Sequence, residues 1–398
     1  MSYRVAIVSQ NLCLGGGLTT MVKFLHRVLS ESGHYQPDLF SLSTSASDSA
    51  SVSLRSLRTW KRGIEAQPSM YDGLGQTHIG AWFSELEFQR YKPRSILTTL
   101  LQEYDLVQCV VGAPSLAYAT LDTEQPVLVW TATTVWPDRV SRVRHASLKQ
   151  QTWMMLMTPL AQYYERCALR KAQAVLALSK YTQDAVQPFV TSGRVELAPC
   201  GVDTDLFRPA NYATRDYIIS VARFSDARKN VTLLLETYAK LHHKMPSLPD
   251  LYLVGELPTE SAQAILKKLG IDGKVHLLGP QNGETLAELY RNALFFVFSS
   301  DEEGLGIVIL EAMASGLAVV STACGGPETA VINGETGFLT PVGDSDALAA
   351  AMQKLLEDQT LCRRMGQAGR QLAEERFSIA VTGKVFLDKY DELLARRK

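Results

Sequence analysis

Short runs of buried-type apolar residues recur along this chain, each followed by a longer amphipathic segment. That alternation restricts the fold more than any other feature. Residues 4–9, 106–111, 127–131, 174–178 and 195–198 read as strands of one series, and 217–221, 250–254, 275–278, 294–298 and 318–321 as strands of a second. Such short runs suit strands covered on both faces, and the helical stretches between them supply the right-handed crossovers of parallel sheets. Two series imply two doubly wound α/β domains with a boundary near residue 205, so that 1–205 and 206–378 each hold one sheet. The last stretch, 379–398, reads as an amphipathic helix behind an N-cap at Ser378. A chain of 398 residues, 46% hydrophobic and 20% charged, has enough apolar material for two such cores.

The same figures exclude several classes. A formal net charge of −1 gives no basic surplus for a nucleic-acid partner. The opening segment, MSYRVAIVSQ, has the shape of a strand and not of a secretion signal. No apolar run reaches the roughly 18 residues of a spanning helix. The six cysteines include no C-x-x-C pair, which reads as free thiols in a reducing compartment. A cytoplasmic location, extending to the inner face of the membrane, is the expectation.

Two stretches break the alternation. Residues 41–53 are rich in Ser and Ala and read as a mobile loop. Residues 139–171 begin with Arg139, Arg142, Arg144 and Lys149 and continue into Trp153, Met154, Met155, Leu156 and Met157. Together with Arg55, Arg58, Lys61 and Arg62 they suit a basic, apolar surface for peripheral contact with anionic lipid or a lipid-linked partner. The commoner outcome for such a pattern is a helix that packs Trp153 and the methionines into the core and leaves the charges in water.

Residues 299–314, SSDEEGLGIVILEAMA, carry the most chemistry. A strand ends, a Gly-containing turn follows, and a helix begins near Leu305. The first N–H groups of that helix have no intrahelical partner and suit an anion. Glu303 and Glu311 lie eight residues apart across this start. A capping acid plus an ordinary helix Glu gives the same pattern. In 220–230 a second strand runs into a loop bearing Arg223, Arg228 and Lys229. Cations beyond the carboxyl end of a strand in a doubly wound sheet suit a diphosphate, although three solvated charges would look the same. A third strand runs into Cys324-Gly325-Gly326-Pro327-Glu328, where glycines permit close approach to a ligand. In the first domain, Gly15-Gly16-Gly17 follows the opening strand and precedes a helix over 18–30. It lacks the last glycine of G-x-G-x-x-G, since Thr20 stands there, and no Gly-Lys-Ser/Thr follows.

Taken together these stretches resemble family 4 of the retaining glycosyltransferases, which have the GT-B fold. The resemblance rests on Glu303 and Glu311 in an E-x7-E arrangement with Glu-Gly-Leu-Gly and Glu-Ala-Met-Ala around them. Gly201-Val202-Asp203 with Phe207 and Pro209, Val221–Phe224 with Lys229-Asn230, Gly325-Gly326 with Glu328, and Asn333-Gly334 with Thr336-Gly337-Phe338 add to it. It is dense in the second half and thin in the first.

The resemblance implies two Rossmann-like domains facing across a cleft, with the final helix crossing back to the first. It implies a nucleotide-sugar donor, UDP-sugar before GDP-mannose, and a saccharide or lipid-linked acceptor in bacterial polysaccharide or glycolipid synthesis. Arg223 and Lys229 would hold the diphosphate, Glu311 the ribose hydroxyls, and Glu303 the donor sugar. The backbone from Gly304 through Leu305 and Gly306 to Ile307 would lie nearby, and Gly16 and Gly17 would close on the phosphates. Fixed cations and helix N–H groups would stabilise the departing phosphate, so no cofactor or metal is expected. One departure stands out. Many relatives carry a His just after the fourth strand of the first domain, whereas this chain has Val129–Asp138 without one. Asp138 is the acceptor-side candidate, with the neighbouring Thr hydroxyls beside it. Two other readings remain open at this level: a GT-B nucleotide-sugar epimerase, and a protein that binds the donor without turnover.

Overall fold

The computed structural model describes every residue except 1, 11, 13–15, 144–145, 211–215, 246 and 397–398. Cys13, Gly15, Arg144 and the last two positions of the expected C-terminal helix therefore lie outside the described residues. The chain divides into two compact units, one of residues Met1–Cys200 with Gly383–Lys398, the other of Gly201–Thr382.

The first unit is built on strands β1 (Tyr3–Gln10), β2 (Tyr35–Leu42), β3 (Ala66–Tyr71), β4 (Leu74–Ile79), β5 (Leu106–Val111), β6 (Val127–Thr131), β7 (Ala174–Ala177) and β8 (Glu196–Leu197). They form one sheet in the order β3-β4-β2-β1-β5-β6-β7-β8. All neighbours run parallel except the β3–β4 hairpin. Its helices are α1 (Gly17–Ser32), α2 (Leu57–Arg62), α3 (Ser95–Leu101), α4 (Val135–Val143), α5 (Leu148–Lys171) and α6 (Lys180–Val186). The central strands β5 and β6 are buried along their whole length, as parallel strands covered on both faces must be.

The second unit has strands β9 (Tyr217–Val221), β10 (Asp250–Val254), β11 (Val275–Gly279), β12 (Ala293–Phe298), β13 (Val319–Thr322) and β14 (Gly337–Thr340), ordered β11-β10-β9-β12-β13-β14 and all parallel. Around them lie α7 (Val231–Lys244), α8 (Glu260–Leu269), α9 (Gly283–Asn292), α10 (Ile307–Ala314), α11 (Pro327–Ala330), α12 (Ser345–Glu357) and α13 (Gln359–Leu372). The last helix, α14 (Ile379–Ala395), leaves this unit at Thr382 and belongs to the first from Gly383 onward. Its Phe386 ring packs 4.6 Å from Trp130 and 5.8 Å from Phe24. The Tyr390 hydroxyl donates to the buried Gln108 side chain at 2.9 Å, and the Tyr35 hydroxyl to Asp391 at 2.5 Å. Gly383 lies so close to Val28 that a Cβ there would stand 2.9 Å from its methyl carbon.

Two expectations are corrected. The Ser/Ala-rich stretch is a packed, hydrogen-bonded loop whose Ser41, Ser43 and Ser51 are buried. His78 ties it down through Ser41 and Asp48, each at 2.7 Å, and buried Arg94 donates to the Ser43 carbonyl at 2.8 Å. Small hydroxyl side chains here satisfy a tight buried turn, which composition alone reads as looseness. The second correction concerns α5. Met157 is buried, but Leu148 is 81% exposed, Leu156 63%, Met155 52% and Trp153 42%. The helix packs through its other side, on which Ala161, Glu165, Ala168 and Leu169 are buried.

Candidate functional site

In the second unit the chain runs from β9 outward to β10 and β11, then returns to place β12 on the other side of β9. The space beyond the carboxyl ends of β9 and β12 is thus a topological switch point, where two consecutive crossovers leave in opposite directions and open a crevice. Lys229 follows β9 and Glu303 follows β12. The Lys229 ammonium donates to the Glu303 carboxylate and stands 5.4 Å from the Phe298 ring centroid. Both side chains are largely buried, so water screens the pair only weakly.

The two loops are stitched together around this pair. Asn230, in the left-handed region at φ 44°, caps α7 by accepting from the Leu233 N–H, and its amide donates to Asp301 at 2.8 Å. The Asp301 N–H donates to the Arg228 carbonyl at 2.8 Å, and the Ser299 hydroxyl to the Lys229 carbonyl at 3.0 Å. Arg228 itself is committed to Asp226 at 2.7 Å and to buried Glu302 at 3.1 Å. Burial pushes the Asp226 carboxyl up, but hydrogen bonds and charge from Arg228 outweigh it and hold the group down at about 2. Arg223 reaches Asp226 only at 3.4 Å and keeps the more exposed side chain of the two arginines. Of the three cations read in this loop, Arg228 therefore braces it, Lys229 is held largely buried against Glu303, and Arg223 keeps the most exposed head.

Beyond Glu303 the chain turns through Gly304, Leu305 and Gly306 into α10. That helix starts at Ile307, two residues later than expected, because Gly306 takes a left-handed turn at φ 80°. No side chain caps its first N–H groups, which leaves them for a ligand. Gly325 and Gly326 line this turn. The Gly326 N–H donates to the Glu303 carbonyl at 2.8 Å, and the Glu303 N–H to the Cys324 carbonyl at 3.2 Å. Gly326 thus serves backbone-to-backbone packing within the protein, where the glycines read as room for a ligand. Glu311 lies one turn and more along α10 and accepts from the Tyr290 hydroxyl at 3.1 Å. Burial raises its carboxyl to about 7, against the Tyr290 bond, which pulls the other way.

The first unit has its own switch point, between β1 and β5. Gly16 stands there with φ 87°, and its carbonyl accepts from the Thr19 N–H at 3.0 Å to start α1, of which Gly17 is the first residue. Asp138 lies in the first turn of α4, beyond β6, and pairs with Arg142 at 3.0 Å. Buried Glu165 accepts from the Val135 N–H at 2.7 Å and so occupies the start of α4. Burial raises its carboxyl to about 7. Arg139, expected on a basic surface, is instead inside, paired with buried Glu87.

Asp226, Glu302, Tyr290 and Glu165 were given no role from the sequence. Asn230 before an apolar run carried an N-cap signal for α7. Tyr290 carried none, since it meets Glu311 from another helix. Among the described residues no three His, Cys, Asp or Glu side chains converge as a metal site.

Comparison with known proteins places the chain in a family and a fold. The model for glycosyltransferase family 4 matches residues 15–206, and that for glycosyl transferases group 1 matches residues 202–372. A GDP-mannose-dependent alpha-(1-6)-phosphatidylinositol monomannoside mannosyltransferase of Mycolicibacterium smegmatis is 30% identical over 62% of this chain and 68% of its own length. The chain spans about half the length of two further curated relatives that it matches, 57% and 52%. Sucrose-phosphate synthase from Thermosynechococcus elongatus superposes with a TM-score of 0.73 at 22% identity, over 99% of this chain and 100% of that one. HepE of Anabaena, solved with UDP and glucose, gives 0.69 at 18% identity over 98% and 100%. Both units are Rossmann-like and the fold is GT-B. The chain belongs to glycosyltransferase family 4.

Proposed function

We propose that this protein transfers a hexosyl unit from a nucleotide-sugar, UDP-sugar first and GDP-mannose second, to a saccharide or lipid-linked acceptor with retention of configuration, in polysaccharide or glycolipid synthesis. The Lys229–Glu303 pair at the switch point, beside the uncapped start of α10, carries this reading. Departure of a nucleoside diphosphate puts negative charge on phosphate oxygens. Lys229, Arg223 and the N–H groups from Gly306 to Val308 are fixed donors for that charge. They make a metal dispensable in this proposal. Glu303 faces the sugar, and Glu311 accepts from the ribose hydroxyls. UDP is preferred on the analogy of HepE, whose structure holds UDP.

A thermal-shift screen against UDP, GDP, ADP and their sugars, with magnesium and with EDTA, tests the donor site. The expected result is a rise in Tm with UDP that EDTA leaves intact. A shift with GDP alone would reassign the donor, and one abolished by EDTA would overturn metal independence. Transfer followed by anomeric NMR of the product tests retention. The stretch after β6 has no His, and that single feature favours a protein that binds donor without turnover. Donor hydrolysis without acceptor separates the two readings, since a binding protein gives none.

Glu311 supplies a pH signature. Its carboxylate form accepts from hydroxyls, whereas its protonated form accepts less well. With the carboxyl raised to about 7, affinity for a UDP-sugar, whose diphosphate is a diester and does not titrate here, should rise between about pH 6 and 8. In Glu311→Gln the dependence should vanish, and affinity should stay about tenfold below the high-pH value of the parent. Calorimetric titration at several pH values reads both. A slope that persists in the Gln variant would assign it to another group.

A further inference from the structure

We infer that α5 docks the protein on the surface of an anionic lipid bilayer. Leu148, Met155, Leu156, Leu160 and Tyr163 recur at spacings of three, four, seven and eight residues, so they share one side of the helix. All five are exposed. The opposite side is the one buried in the first unit, through Ala161, Glu165, Ala168 and Leu169. A folded chain seldom leaves a continuous apolar stripe of this size in water without a use for it.

Charge decides what covers the stripe. By helical periodicity Lys149, Arg166, Arg170 and Lys171 fall on the same side as the apolar residues, and all four are exposed. Arg166 and Lys171 lean over the Phe189 and Tyr118 rings of the same unit at its flanks, at 5.1 and 5.8 Å, while Lys149 and Arg170 are the cations that carry the face. The only acid of α5 is Glu165, which is buried on the other side and capped onto α4. The exposed face is thus apolar and cationic with no carboxylate on it. A second copy meeting this face through a two-fold axis would set cations against cations. An anionic headgroup layer answers the charges, and the acyl boundary beneath it takes the leucines, with Trp153 and Tyr163 at the depth where amphipathic rings settle. Elsewhere in the same unit, α2 repeats the combination, with Leu57 and Trp60 exposed beside Arg58 and Lys61. No helix among the described residues is long and apolar enough to cross a membrane, so contact through α5 lies along the surface.

Docking brings the protein to lipid-linked acceptors, and in that consequence it rests on the proposed transfer reaction. Binding itself is read without turnover. The full chain is floated with vesicles of phosphatidylcholine alone and with vesicles in which phosphatidylglycerol replaces about a third of it. The expected result is flotation with the anionic vesicles only, reduced by salt. Leu156→Ser with Leu160→Ser, and separately Lys149→Glu with Arg170→Glu, should each lower the bound fraction at least about tenfold. Both pairs should keep the parent's Tm and its Tm rise with UDP, since neither touches the donor loops. Absence of flotation with either vesicle overturns the inference, as does flotation that neither pair changes. Size exclusion showing a dimer that Leu156→Ser with Leu160→Ser dissociates, without flotation of the parent, assigns the face to a second copy. If flotation behaves as expected and no nucleotide shifts Tm, the docking surface stands and the donor reading falls.

Discussion

Lys229→Ala should lower kcat for sugar transfer by about a hundred- to a thousand-fold, the cost of removing one fixed donor from a charge that develops only in the transition state. Lys229 is suited to that scale because its side chain is largely buried, beside Phe298, where an ammonium acts through little water. Its loop is held by the Asn230–Asp301 and Asp301–Arg228 bonds, so the charge is in place before the donor arrives. Stability should also fall, by about 1–3 kcal/mol, because the largely buried Glu303 carboxylate is left without its partner. Steady-state transfer kinetics with the donor identified by thermal shift provide the measurement, and a loss below about tenfold would remove Lys229 from the reacting charge.

The partner predicts the shape of a double-mutant cycle. Lys229 and Glu303 hold one another in the free protein, so each single substitution also leaves the other group unpaired. Lys229→Ala with Glu303→Gln should cost less than the sum of the two singles, as residues acting as a unit do. Arg223→Ala offers the contrast. Its guanidinium is the more exposed and is held by Asp226 only at 3.4 Å, so its loss should appear mainly in KM.

What was legible in the sequence divides along physical lines. The strands of both sheets were readable where they are central, because full burial demands unbroken apolar runs such as Leu106–Val111 and Tyr217–Val221. The β3–β4 hairpin was not, since AQPSMY and LGQTHI lie at the sheet edge with one side in water, and an edge tolerates Pro68. Strand β2 was hidden for a related reason. Its Pro37 falls where only β1 is paired with it, before β4 joins at Leu39. At the site, the spacing of Glu303 and Glu311 and the position of the cations after β9 were visible. The division of labour among Arg223, Arg228 and Lys229 was not. It depends on Glu302 joining the neighbouring Asp226 in claiming Arg228, and a contact spanning seventy-four residues leaves no local trace. Helical periodicity likewise found α5 but could not say which side had a partner.

Gly326→Ala should be the most damaging single-methyl change in the donor loops. The backbone of Gly326 is ordinary, with φ −66° and ψ −46°, so any residue could adopt it. Space is what forbids a side chain. A Cβ at this position would stand 2.4 Å from the Leu305 nitrogen and 2.5 Å from the Gly304 carbonyl carbon. Those atoms are main chain and cannot swing aside as a side chain end would. The Gly326 N–H is also tied to the Glu303 carbonyl at 2.8 Å, so relief requires breaking that bond or shifting the whole 304–306 turn. Either response moves the start of α10 and the residue that holds Lys229. Overpacking of this kind costs about 1–3 kcal/mol, and donor affinity should fall at least about tenfold because the N–H groups no longer converge. Gly334→Ala in the same unit is the control. Its φ of 83° makes alanine strained, yet nothing stands within 4 Å of the new carbon, so it should cost about 1 kcal/mol and leave nucleotide binding unchanged. Tm and calorimetric affinity of the two variants separate backbone strain from loop displacement. A Gly326→Ala protein that melts lower but binds donor as tightly as the parent would show that the turn before α10 is not what positions the nucleotide.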